Sequence, residues 1–178
     1  LISTVMQTKA ESFADRYAQV RKLVEPLSQE EDSLLVKKVD QMYDSDPRAA
    51  LGFTLYGGLR ELEGRVNQQL TSGNETRMSI AVQIAGDLGM NNLYPNLDLI
   101  FKSSNQEDGL SLISMYKLDQ TKTIPFLKNY LEKANPNKAK FIIWNVLSYH
   151  LTNKDENGVS SIRQILKDLN REELFTAS

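Results

Sequence analysis

The sequence predicts an all-α fold, and three observations predict it. Apolar residues recur at steps of three and four through most of the chain, the spacing that gathers them on one face of a helix. Residues able to satisfy the free amides of a helix start stand before these segments, twice with proline next in line. Period-two alternation of β-branched residues is absent, and no Asn-Gly turn joins two such runs.

The first apolar stripe is Phe13, Tyr17, Val20, Val24 and Leu27. Ser28 and Glu31 then form an S-x-x-E capping box, in which each side chain satisfies an amide of the opposite end of the first turn. Leu35, Val39 and Met42 line the helix it opens. Asp46-Pro47 restarts the pattern, because Asp is a good N-cap and proline at the first helical position forfeits no hydrogen bond. Leu51, Leu55, Leu59, Leu62, Val66 and Leu70 make a long stripe broken only at Gly57-Gly58. Two residues are too few to reverse a helix, so a kink or close packing is expected there rather than a turn. Residues 1–73 are thus expected to form a region of two or three long helices, a cap or packing surface for the helices beyond it.

Beyond residue 73 the helices shorten, at about 75–88, 93–103, 106–118, 122–133, 137–151 and 159–169. Asn74 or a neighbour caps the first, Ser104 with Glu107 is a second capping box, and Asn135-Pro136 repeats the Asp46-Pro47 device. Gly158 or Val159 opens the last. These six helices make three consecutive hairpins over residues 74–178. A shift of thirty pairs Val82 with Leu112, Ala85 with Met115, Leu88 with Leu118, Tyr94 with Ile124, Pro95 with Pro125, Leu97 with Leu127 and Phe101 with Leu131. The third hairpin aligns with a shift of thirty-five, Leu127 on Ile162, because "TNKDENG" lengthens its turn. Each proline is expected in the first turn of a second helix, where it fixes φ at no cost in hydrogen bonding.

The stretch "IAGDLGMNNLYPNLDLIFKSSN" resembles a short HEAT repeat. Leu88-Gly89 at the end of the first helix, Pro95 near the start of the second, and Leu97, Ile100 and Phe101 carry the resemblance over about residues 74–170. The second unit departs from it at Asp119, where glycine is usual, and no unit carries the Asp and Arg ladder of longer HEAT repeats. The resemblance implies an α-α superhelix whose hairpins stack in parallel and whose second helices line one side. In that arrangement Asp98, Lys128 and Arg163 form one column, and Lys102, Glu132 and Lys167 another one turn later. Asp98–Lys102 and Lys128–Glu132 are i,i+4 pairs. The two rows of charge are the candidate binding residues, suited to docking a protein or peptide through its carboxylates.

Composition excludes several chemistries. The chain has 178 residues, 40% of them apolar, a net charge of −2 and no cysteine. Thiolate metal sites, disulfides and cysteine nucleophiles are excluded. Lys and Arg are scattered, so no broad basic footprint for nucleic acid is present. The longest apolar run, "FIIW" at 141–144, is far too short to span a membrane. The chain opens on Leu1 and not on methionine, and an upstream piece, such as a signal or an anchor, is expected to have been removed.

His150 is the only histidine, which removes two-histidine metal sites; it is expected to be structural, near a helix end. Asp40, Asp44, Asp46, Glu61 and Glu63 are carboxylates in close sequence but form no catalytic constellation, and solvated helix ends are the expectation. "NKDENG" at 153–158 begins like a calcium loop, lacks its later ligands, and is expected to be a polar turn. Asn74-Glu75-Thr76 is a glycosylation sequon, relevant only to a secreted eukaryotic chain. Trp144 and Tyr149 could stack on a ligand, but Trp144 within "FIIWNVL" is expected in the core. Gly57-Gly58 lacks the Lys-Ser and preceding strand of a phosphate loop. The expectation is a non-catalytic scaffold with no cofactor and no metal. A regulatory or chaperone-like bundle acting through residues 1–73 is the alternative, and a carboxylate-dependent enzyme stands third.

Overall fold

The computed structural model describes residues 29–175. The stripe from Phe13 to Leu27 and the Ser28 half of the first capping box lie outside the described residues. Within them helix is the only regular structure and no strand occurs, so the fold is all-α. The chain divides into two compact units with the boundary between Met78 and Ser79.

The first unit holds α1 (Gln29–Ser45), α2 (Pro47–Gly57) and α3 (Glu63–Leu70). Asp46 caps α2 as its sequence predicts, accepting from the Ala49 amide at 3.1 Å with Pro47 at the first position. Helix α1 packs on α2, and the shared core takes Val39, Tyr43, Ala50, Leu51 and Leu55. The Tyr43 hydroxyl donates to Thr54 Oγ1 at 2.7 Å, and Thr54 passes its own proton to the Ala50 carbonyl.

The long stripe from Leu51 to Leu70 is not one helix. Helix α2 ends at Gly57, and Gly58 takes φ +64°, a left-handed conformation that glycine reaches without a Cβ penalty. Gly58 N–H then donates to the Leu55 carbonyl and Leu59 N–H to Thr54, closing a Schellman motif. A 3₁₀ turn, Arg60–Leu62, comes next and buries Leu62 before α3 starts. One left-handed glycine backed by a 3₁₀ turn therefore redirects the chain where a kink or close packing was expected, and Gly57 is closely packed, a Cβ there lying 2.9 Å from Leu59 Cγ.

The second unit continues α4 (Glu75–Asp87) and adds α5 (Tyr94–Ser103), α6 (Gly109–Leu118), α7 (Gln120–Lys133), α8 (Pro136–Thr152) and α9 (Glu156–Asp168). Asn74 accepts from the Arg77 amide at 3.0 Å, as predicted. Asn135 caps α8 with Pro136 behind it, accepting from Lys138 at 2.9 Å.

Three helix starts differ from expectation. Helix α6 begins at Gly109 with Asp108 as its cap, because Asn105 and Gln106 turn left-handed and close α5 first. Ser104 bridges this turn, donating to the Phe101 carbonyl and accepting from the Asp108 amide. Asp155, not Gly158, caps α9. Asp119 caps α7 at Gln120, so Pro125 lies inside that helix rather than in its first turn.

Besides the packing of α5 on α6, α6 on α7 and α8 on α9, contacts in this unit also run between helices of like position. The backbone of α4 comes close to α6 at Gly86, where a Cβ would lie 2.8 Å from the Ser114 Cα. One turn on, Lys117 of α6 donates to Asp87 of α4 at 2.5 Å. Helix α8 packs on α6 in turn. Among the second helices, Tyr94 of α5 meets Thr123 of α7 at 3.2 Å, and Phe101 meets Phe126 edge-on. These contacts ascend both helices together, so α5 and α7 run in the same direction.

Candidate functional site on the second helices

Helices α5 and α7 carry four of the six residues singled out from the sequence. Asp98 and Lys102 form the expected i,i+4 pair, Nζ to Oδ2 at 2.6 Å. Lys102 Nζ also stands 5.7 Å from the Phe126 ring of α7, so the cation is held across the two helices. Asp98 Oδ1 is buried without a hydrogen-bond partner. One turn back, Lys122 Nζ lies 5.5 Å from the Tyr94 ring and 3.0 Å from Asp119 Oδ2. The Asp119 carboxyl is held below its ordinary pKa, chiefly by the Lys122 amide and then by the Lys122 side chain. The Lys122 ammonium is raised in return.

Lys128 and Glu132 do not form the expected pair, and neither has an ion-pair partner among the described residues. Lys128 is half-buried and Glu132 exposed on α7. Arg163 and Lys167 are exposed on α9, and the Arg163 guanidinium stacks on Phe175 at 4.4 Å. The structure thus brings Asp98 and Lys102 into contact and leaves Lys128, Glu132 and Lys167 unengaged.

The acidic cluster near residue 40 has a structural task. Arg65 of α3 reaches Asp40 of α1 through Nε at 2.7 Å and through Nη2 at 3.2 Å, and holds Asp44 through Nη1 at 2.9 Å. Two carboxylates one helical turn apart are matched to one guanidinium fork. The Arg65 hydrogen bonds keep the Asp40 carboxyl below its ordinary range. Asp40 and Asp44 therefore clamp Arg65, and Asp44, in the last turn of α1 with its side chain 69% exposed, is also the solvated helix end that was expected.

His150 is fully buried and joins three elements. Its Nδ1 lies 2.9 Å from Asp155 Oδ2 and its Nε2 2.8 Å from the Tyr116 hydroxyl. Asp155 is pushed below its ordinary pKa, first by the Gly158 amide and then by His150, so it is an acceptor only. Nδ1 accordingly carries a proton, and in the neutral ring Tyr116 donates to Nε2. Burial pushes the Tyr116 hydroxyl up, which keeps that donor in place. A Cβ on Gly158 would overlap the His150 ring, which accounts for glycine in the first turn of α9. Asp155, His150 and Tyr116 together join α6, α8 and the start of α9, with His150 sealed from solvent.

A polar depression of about 520 Å³ lies between the turn after α5 and the start of α8, lined by Gln106, Glu107, Asn129, Lys133, Asn135 and Lys138 among others. Asn129 donates to Gln106 at 3.1 Å, and Lys138 reaches Glu107 at 3.4 Å. Among the described residues, no group of three or more His, Asp or Glu is placed to hold a metal ion, and no helix is long and apolar enough to cross a membrane.

Trp144 contradicts its expected core position: it is 71% exposed on α8. The buried residues of that helix are Ala139, Ile142, Ile143, Val146 and His150, which leaves Trp144 on the opposite side. The spacing already contained this, since 144 is out of phase with 139, 142, 146 and 150. Comparison of the chain with protein-family models, with curated proteins and with solved structures returns no match.

Proposed function

We propose that the chain is a non-catalytic protein–protein interaction scaffold of HEAT-like hairpins, holding a protein or peptide segment against its second helices. The observation that carries this reading is the like-to-like contact of the second unit: α4 with α6, α6 with α8, and α5 with α7. Hairpins stacked in that way present neighbouring second helices as one continuous face, onto which an extended partner can lie. Asp98, Lys102, Lys128 and Glu132 belong to that face, with Arg163 and Lys167 of α9 as its extension.

The unengaged state of Lys128 and Glu132 supports the reading further. A lysine and a glutamate one turn apart that do not pair with each other leave both charges for a partner's side chains. Lys102 is different, since Asp98 neutralises it.

The test is capture of a partner with wild-type protein, followed by affinity measurement with the purified partner and three variants. These are Lys128→Glu, Arg163→Glu and the double variant, each checked for wild-type helicity by circular dichroism. Charge reversal at a contacting lysine is expected to weaken binding about tenfold to a hundredfold. Undiminished affinity in all three folded variants would remove the α5–α7–α9 face from consideration.

A further inference from the structure

Helix α8 is apolar on two opposite sides. Its inner side, from Ala139 to His150, is filled by the core. Its outer side carries Trp144, Leu151 and Phe141, which are 71%, 67% and 49% exposed, with Leu147 half-buried between them. Positions 140, 144, 147 and 151 have the alternating four-and-three spacing of a helix–helix seam, and Phe141 and Ser148 flank it. This second apolar stripe of α8 meets water.

We infer that the outer face of α8 is a self-association surface, on which α8 of a second copy packs antiparallel about a two-fold axis level with Val146. Three features of the face favour a second copy. First, the seam is complementary to itself under that axis: Trp144 meets the partner copy's Leu147 and small Ser148, and Phe141 meets its Leu151, so large side chains face smaller ones. Second, Lys140 is the one charged residue on the seam, sits at one end, and has no ion-pair partner among the described residues. Antiparallel pairing separates the two lysines and sets each beside the negative C-terminal end of the other α8, whereas parallel pairing would place them together. Third, a net charge of only −2 opposes self-association weakly.

The size of the patch sets the strength. Trp144, Phe141 and Leu151 together offer on the order of 400 Å² per copy, or ~800 Å² for the pair. Stable specific interfaces bury roughly 1,200–2,000 Å² in total, so the dimer is a weak, dissociable one.

Trp144 is the only tryptophan, so its emission reports on this face alone. Sedimentation equilibrium and tryptophan emission of the full chain would be followed from about 1 µM to about 1 mM. The expected result is an average mass rising toward twice the monomer value, with a blue shift of the emission at the same midpoint. Leu151→Glu, which keeps the fluorophore, and Trp144→Glu should each weaken the dimer at least about tenfold while retaining wild-type circular dichroism. Four outcomes overturn the inference: a monomer throughout with red, water-exposed emission; a mass increase with no emission shift; a dimer that both variants leave intact; or a monomer whose emission shifts blue only on adding phosphatidylcholine–phosphatidylserine vesicles. The last would assign the face to a lipid surface.

Discussion

Tyr116→Phe isolates one hydrogen bond in the core of the second unit. The hydroxyl it removes is the donor to His150 Nε2 at 2.8 Å, and the other ring nitrogen is committed to Asp155 at 2.9 Å. His150 is 0% exposed, so water does not replace the lost donor, and Nε2 becomes a buried acceptor without a partner. Such a group costs about 1–3 kcal/mol, while loss of a single oxygen from the packing adds little. Urea unfolding followed by circular dichroism at neutral pH should show a lower midpoint with an unchanged slope. The same substitution in a His150→Leu background should cost far less, because the hydroxyl has already lost its acceptor there; the difference is a coupling of about 1–3 kcal/mol. A loss under about 0.5 kcal/mol in the wild type, equal to that in the His150→Leu background, would refute the reasoning. It would mean that the hydroxyl and the imidazole do not depend on each other.

Three further outcomes are expected. Gly86→Ala should destabilise by about 1–3 kcal/mol, because its Cβ meets the Ser114 backbone and α4 must move off α6; Gly64→Ala, in α3 with nothing within 4 Å of the new Cβ, should instead stabilise by about 0.4–1 kcal/mol. Thermal unfolding of the two variants should shift in opposite directions. Asp40, Asp119 and Asp155 all have folded pKa values below their ordinary range, so their contribution is complete above the unfolded value near pH 4 and lost as pH falls through the folded values. Asp155→Asn should flatten that acid limb of the urea-midpoint profile. Pro125→Ala should raise the melting temperature, since it restores the amide donor that a proline inside a helix lacks, worth about 1–2 kcal/mol after the entropy of the unfolded chain is counted.

Helix could be read from the sequence wherever apolar spacing and a capping residue agreed. Asp46-Pro47, Asn74 and Asn135-Pro136 each place a helix start where it occurs, because a short polar side chain before a proline or a good helix former has one favourable use. Glycine at 58 was harder, since the same residue serves a kink, a close approach and a left-handed cap. Only the carbonyls it serves decide among these. Asn105, Lys154 and Asn170 also adopt positive φ and end helices without glycine, which composition does not announce. Arg65 lies too far along the chain from Asp40 and Asp44 for local spacing to join it to them. The candidate columns on α5 and α7 rested on pairing by register. Asp98–Lys102 formed; Lys128–Glu132, with the same spacing, did not, because spacing puts two charges within reach and the surroundings decide whether they use it.

One element, repeated in three places, bears on which residues belong to a common face. After α2, Gly58 and Leu59 donate to Leu55 and Thr54, and Leu62 donates to Leu59. After α4, Gly89, Met90 and Leu93 make the same three bonds to Gly86, Ala85 and Met90. After α9, Asn170, Arg171 and Leu174 make them to Lys167, Leu166 and Arg171. Leu62, Leu93 and Leu174 are buried in all three, so the left-handed residue ends one helix while the leucine anchors the turn that redirects the chain. Gly58 and Gly89 are thirty-one residues apart, and the repeat signal therefore reaches back to "LYGGLREL", before residue 73. In the same register Arg163 corresponds to Val82 of α4, a first helix, whereas the thirty-five-residue shift set it beside Lys128 of α7, a second helix. The contacts favour the second alignment, since α9 packs on α8 and α8 packs on α6. Equal losses of affinity in Lys128→Glu and Arg163→Glu would put Arg163 on the binding face with Lys128, and a loss confined to Lys128→Glu would leave Arg163 off it.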